Sequence, residues 1–198
     1  QGWFTPVAVE ALREPVVELT NDLVDKILAG DGRFDAHDEF AFPLPVIIIA
    51  RLLGVPDSEL DQFKYWSDIQ VAAMGSADPA QYMEEQQAFL EYMRDHLHYR
   101  RQQIEADEDD VEDLLSAVAG ARDENGDFTA ESDALSVLNQ LLVGGNETTT
   151  SLITNLLWRL LEKPERWQTL LDDQSLIPQV VEESLRFDPP VLGLYRNT

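Results

Sequence analysis

Apolar residues recur every three or four positions along most of this chain, the spacing of one face of an α-helix. Leu12, Val16, Leu19, Leu23 and Ile27 form such a face after Pro6, which suits a first helical turn, and Gly30 closes it. Gly32-Arg33-Phe34-Asp35 reads as a turn or a short strand. From Phe42 to Leu53 the chain is apolar nearly all round, which predicts a buried helix stopped by Gly54 and Pro56. Asp57 or Ser58 can cap the next helix, which carries Leu60, Phe63, Trp66, Ile69 and Val71. A loop from Gly75 to Pro79 leads into a long helix reaching about Ile104. The acidic run Glu105 to Asp113 reads as a solvated, self-repelling turn, without the glycine and ligand spacing of a calcium loop. A short helix over Asp113 to Ala119 and a hairpin-like turn at Asp123 to Asp127 follow. Two further short helices span 165–172 and 176–187, and Asp188-Pro189-Pro190 separates the second from a strand expected to start at Val191. The pattern predicts a mainly α chain with minor β, forming one domain over 1–198.

Between these lies the longest periodic segment, from about Thr129 to Lys163, with Leu135, Leu138, Leu142, Ile153, Leu156, Leu157, Leu160 and Leu161 on its apolar positions. Its centre breaks the rules the rest obeys. Gly144 and Gly145 each cost about 1 kcal/mol against alanine, and Thr148, Thr149 and Thr150 are β-branched. The acid Glu147 sits among them. A helix that only supports a fold has no reason to collect poor formers there. The pattern points to something large lying against Gly144 and Gly145, with Glu147 and Thr148 doing chemistry beside it.

Composition narrows the classes. Fourteen Lys and Arg against 38 Asp and Glu give a net charge of −24, which argues against nucleic acid and against an anionic membrane surface. The longest apolar run, Val46 to Val55 with Arg51 inside it, falls short of the roughly 18 residues of a membrane span. There is no cysteine, so these residues can form neither disulfides nor thiolate metal sites. His37, His96 and His98 show no paired metal-ligand spacing, and His96 to Arg100 reads as surface charge. Glu183 and Arg186 stand one turn apart on one helix face; Glu10/Arg13 and Glu91/Arg94 share that spacing, and its default is a surface pair.

In order along the chain, Gly144-Gly145-Asn146-Glu147-Thr148 followed by Thr149-Thr150, then Glu183-x-x-Arg186, resemble the central helix and the Glu-x-x-Arg helix of cytochromes P450, specifically soluble bacterial members. Phe4-Thr5-Pro6, Leu44-Pro45, Leu52-Leu53-Gly54-Val55-Pro56, Phe187 to Val191 and Arg196 are similar to further bacterial segments, so the resemblance runs end to end. It implies a partial cytochrome P450 fold: a long central helix, a helix bundle and minor β.

The resemblance also implies roles. Gly144, Gly145 and Thr149 would lie against haem b, a local widening of the helix there would leave room for dioxygen and a water, and Arg196 would pair with a haem propionate. Thr148 would hold a water or an oxygen by hydrogen bond while Glu147 relays protons. Glu183 and Arg186 would be a buried structural pair bracing the haem core. Met74, beside Gly75 in a lid-like loop, and Val191, Leu192 and Leu194 would line a substrate pocket. The implied activity is insertion of one oxygen atom from dioxygen into a small apolar substrate, with electrons from NAD(P)H through a ferredoxin reductase and a ferredoxin, in a cytoplasmic monomer.

The departure is the iron ligand. The family uses a cysteine thiolate, and this sequence has none. The expectation is an internal piece of a monooxygenase that would not turn over alone. Two alternatives stand beside it: a haem-free helical module that binds a hydrophobic ligand or partner, and an unrelated acid–threonine enzyme such as a dehydratase.

Overall fold

A computed structural model describes residues 4–108 and 113–193. Among them are nine α-helices: α1 (Pro6–Ala11), α2 (Arg13–Leu28), α3 (Pro43–Leu52), α4 (Leu60–Gly75), α5 (Met83–Glu105), α6 (Leu114–Ala119), α7 (Glu131–Leu161), α8 (Pro164–Asp172) and α9 (Ile177–Phe187). The expected hairpin is a single bridge between Arg122 and Phe128, with Gly126 at φ +87° in its turn. Residues 191–193 form no strand, and the rest of the expected strand, with Leu194 and Arg196, lies outside the described residues.

Local chemistry explains most boundaries. The Thr5 hydroxyl accepts from the Ala8 amide and Pro6 follows it, so α1 starts there. The single helix expected from Pro6 is instead two. Pro15 has no N–H for the carbonyl of Ala11 and its ring crowds that turn, so the helix breaks at Leu12. The buried face of α2 still falls on Leu19 and Leu23. A π-type turn, His37–Ala41, precedes α3, and Gly54 at φ +69° ends it.

The core is built around α7, which is about 46 Å long at 1.5 Å per residue. Helices α3, α4, α5 and α6 pack along its first two thirds, while α8 and α9 pack against its last turns. Leu135, Leu138 and Leu142 of α7 meet Ala50 and Leu53 of α3, Phe63 of α4, and Phe89, Met93 and Leu97 of α5 in one buried cluster. Phe63 and Phe89 meet edge to face with centroids 6.2 Å apart. The opposite side of α7 is open: Val137, Gln140 and Gly144 are exposed there.

The polar side of the core differs from the sequence expectation. The inner face of α4 includes Ser67 and Gln70 as well as Phe63, while Ile69 and Val71 are only half-buried. Asp113 belongs to no solvated turn: it is buried, accepts from the Ser116 amide at 2.7 Å to cap α6, and bonds Arg100 Nη2 at 2.6 Å. Arg100 is therefore an inward cation, and the His96 to Arg100 segment is not plain surface charge. Arg94 pairs with Glu131 at 2.9 Å rather than with Glu91.

Candidate active site

The glycine–acid–threonine segment lies in one unbroken α-helix, without the expected widening. The two glycines have different surroundings. Nothing stands within 4 Å of a Cβ built on Gly144, so the open face of α7 is bare at that point. A Cβ on Gly145 would stand 2.5 Å from Ile49 Cδ1 and 3.1 Å from its Cγ1. Gly145 is thus the place where α3 approaches α7 closely, a packing role. The expectation that both glycines face a flat ligand holds in geometry for Gly144 alone.

Thr148 lies one turn after Gly144 on the same open side, and its hydroxyl donates to the Gly144 carbonyl at 2.7 Å. Such back-bonding is a frequent resting place for a helical threonine. Having given its one proton to the carbonyl, the hydroxyl keeps two acceptor lone pairs facing the open side. Glu147 and Thr148 are half-buried, and Thr149 is exposed away from the Gly144–Thr148 line. Gly144, Glu147 and Thr148 are therefore brought together; Gly145 and Thr149 turn elsewhere.

The Glu183–Arg186 pair forms, with Arg186 Nη2 2.6 Å from Glu183 Oε1, but its side chains are 60% and 67% exposed. Among the described residues it is a surface pair, not a buried brace, because none of their elements covers that side of α9. The guanidinium beside it holds the Glu183 carboxyl below the usual carboxylate range. Met74 is exposed at the end of α4, which runs through Gly75, so the loop begins only at Ser76. Val191 and Leu192 are exposed as well.

A cavity of about 540 Å³ opens elsewhere, between the end of α7, α8 and α9, against Leu156, Leu160, Leu170, Val180 and Ser184. Of the expected site residues only Glu183 lines it; Gly144, Glu147 and Thr148 do not. A cluster that the sequence reading missed, Asp35, His37 and Asp38, is exposed. Asp35 Oδ1 accepts from the His37 and Asp38 amides, which marks it as the cap of the π-type turn.

Two polar tethers fix this region and were not legible as functional residues. Asn146 is fully buried and donates from Nδ2 to Ser67 Oγ of α4 at 2.7 Å. At the C-terminal end, Asp188 takes Arg159 Nε on its carboxylate and Asn155 Nδ2 on its carbonyl, which locks the turn after α9 onto α7. The arginine holds the Asp188 carboxyl below its ordinary value.

With this geometry in place, relatives decide the lineage. The chain is 39% identical over 196 residues, 98% of its length, to Cytochrome P450 107B1 of Saccharopolyspora erythraea. It is 38% identical to Cytochrome P450 monooxygenase PikC of Streptomyces venezuelae over 95% of its length. Among solved structures, ligand-free CYP164A2 of Mycobacterium smegmatis superposes with a TM-score of 0.80 at 33% identity, covering 96% of this chain. The chain carries part of the cytochrome P450 fold. It spans about half the length of these P450 relatives: 46% and 43% of the two sequences and 48% of the solved chain. CYP109Q5 of Chondromyces apiculatus gives a TM-score of 0.78 at 38% identity, over 93% of this chain and 44% of its own. No protein-family model matches the chain. Among the described residues no helix is long and apolar enough to cross a membrane.

Whether these residues suit the P450 haem can be judged from α7. A flat macrocycle needs a helix face without side chains, and the bare α-carbon of Gly144 with a hydroxyl one turn along provides it. The thiolate that holds the iron in P450s is not among these residues, which contain no cysteine.

Proposed function

We propose that the whole protein is a haem-thiolate monooxygenase and that this segment supplies its oxygen-side helix. It would insert one atom of dioxygen into a small apolar substrate, using electrons from NAD(P)H passed through a ferredoxin reductase and a ferredoxin in the cytoplasm. The observation that carries the reading is the bare α-carbon of Gly144 on the open face of α7, with Glu147 and Thr148 one turn along.

The haem, when bound, supplies dioxygen binding and the redox chemistry. The chain's own residues do the rest. Gly144 would leave room for the flat cofactor beside the helix. Thr148, its proton held by the Gly144 carbonyl, accepts from a water and so orients that water's second proton toward the open side. Glu147, half-buried beside it, takes protons from solvent and passes them to the Thr148 water. Arg196 would pair with a propionate of the cofactor. Met74, Val191, Leu192 and Leu194 are the apolar groups proposed for the substrate side. Glu183 and Arg186 would become buried once the remaining length of the protein covers α9.

The test is the reduced carbon-monoxide spectrum of the full-length protein. A thiolate-type band is expected there and not from residues 1–198 alone. Its absence from haem-loaded full-length protein would overturn the reading.

A further inference from the structure

We propose that Asn146 is a positioning residue: its buried amide sets the rotation and axial register of α7 and so holds Glu147 and Thr148 on the open face. This rests on the monooxygenase reading above. Most of the buried face of α7 is aliphatic, with Leu135, Leu138, Leu142 and Leu160. Leucines packed on leucines tolerate small rotations and slips, because dispersion has no direction. The buried side-chain hydrogen bonds of α7 fall at one level, between its more exposed end contacts at Glu131 and at Asn155 and Arg159. Asn146 Nδ2 donates to Ser67 Oγ at 2.7 Å, and the Thr150 hydroxyl stands 3.0 Å from Asn146 Oδ1 and 3.2 Å from the Ala41 carbonyl.

The one proton of the Thr150 hydroxyl is shared between these two acceptors, and the Ala41 carbonyl lacks its ordinary helical donor. A helix running from the π-type turn into α3 would offer it the N–H of residue 45, and Pro45 has none. Asn146, Thr150 and Ser67 are all buried, so a turn or slip of α7 would strand several polar groups away from water at about 1–3 kcal/mol each. Asn146 and Thr148 lie about 160° apart around the helix. Fixing the amide inward therefore fixes the hydroxyl outward. A single buried amide specifying register is a known use of polar groups in otherwise apolar seams.

The experiment compares Asn146→Leu, which keeps shape and loses both bonds, with Ser67→Ala, which loses one, and with Thr148→Ala, all in the full-length holoenzyme. The readouts are the share of consumed NAD(P)H that ends as peroxide rather than product, and hydrogen exchange at the amides of 147–149. Asn146→Leu and Ser67→Ala are each expected to raise the peroxide share several-fold and to speed that exchange about tenfold, with substrate affinity unchanged. A lowered melting temperature with unchanged exchange and unchanged peroxide share overturns the positioning role. If Asn146→Leu fails to take up haem, Ser67→Ala decides by the same outcomes. A rise in peroxide with Thr148→Ala but not with the other two overturns the positioning role alone. No rise in any of the three overturns the site reading as well.

Discussion

Asp113 and Arg100 form a buried ion pair at 2.6 Å that joins the start of α6 to the last turns of α5. The same carboxylate lies so close to Gly54 that a Cβ there would collide with it. One side chain thus caps a helix, neutralises a guanidinium and packs under the turn that ends α3.

Removing it takes one charge partner from the largely covered Arg100 side chain and the Asp113 cap from α6. Asp113→Ala should therefore lower stability by about 3 kcal/mol or more, read as a shift of the urea midpoint at unchanged slope. Gly54→Ala should be destabilising too, by strain at φ +69° and by displacing Asp113. A change under about 0.5 kcal/mol for Asp113→Ala would refute the role assigned to the pair.

The glycines of α7 should respond oppositely to alanine. Gly144→Ala meets open space, so helix propensity alone acts and the chain should gain up to about 1 kcal/mol. Gly145→Ala must push Ile49 aside, which offsets that gain. Trimming the obstacle with Ile49→Val should release it. A double-mutant cycle on residues 49 and 145 is expected to show a coupling of about 1 kcal/mol, and additivity would contradict the close approach.

How much of this was legible depends on the kind of pattern. Helical periodicity located α3, α5, α7, α8 and α9 within a few residues, because leucine spacing and proline or glycine stops act locally. The split at Leu12 leaves no mark on the apolar face, which runs on from Leu12 to Ile27; only Pro15 signals it. The ordered pair of motifs around Gly144 and Glu183 revealed the P450 lineage, but not orientation. Gly145 faces Ile49, and only packing between α3 and α7 could say so. The exposure of Glu183 and Arg186 follows from what else covers α9, which spacing within one helix cannot report. Asn146 and Ser67 are 79 positions apart, so nothing local pairs them.

Acid should weaken the fold partly through His96. Its ring packs against Tyr92 at 4.2 Å between centroids, with Nε2 3.8 Å from Glu59. Burial pushes its pKa below the usual value near 6.5; Glu59, Asp95 and Asp113 pull it up, and Arg100 adds to the lowering. The folded state therefore prefers the neutral ring. As pH drops below about 6.5 the unfolded chain takes a proton that the folded chain resists, so stability falls until the folded pKa is passed. His96→Gln should flatten the decline in urea midpoint between about pH 7 and 5; the depressed carboxylates of Glu131 and Asp188 act lower, where they are protonated. An unchanged slope would show that His96 is not a source of it.

The Thr150 hydroxyl and Pro45 make the sharpest stability test of the register argument, because each predicts the effect of changing the other. Thr150→Val keeps the volume and removes the donor from the Ala41 carbonyl, at a cost of about 1–3 kcal/mol for an unsatisfied buried acceptor. In a Pro45→Ala background, residue 45 regains an N–H at the helical position for that same carbonyl. Thr150→Val should then cost at least about 1 kcal/mol less, measured as the difference between the two urea-midpoint shifts. Equal costs in both backgrounds would mean that the Ala41 carbonyl does not depend on Thr150, and that α7 is held against α3 by shape alone.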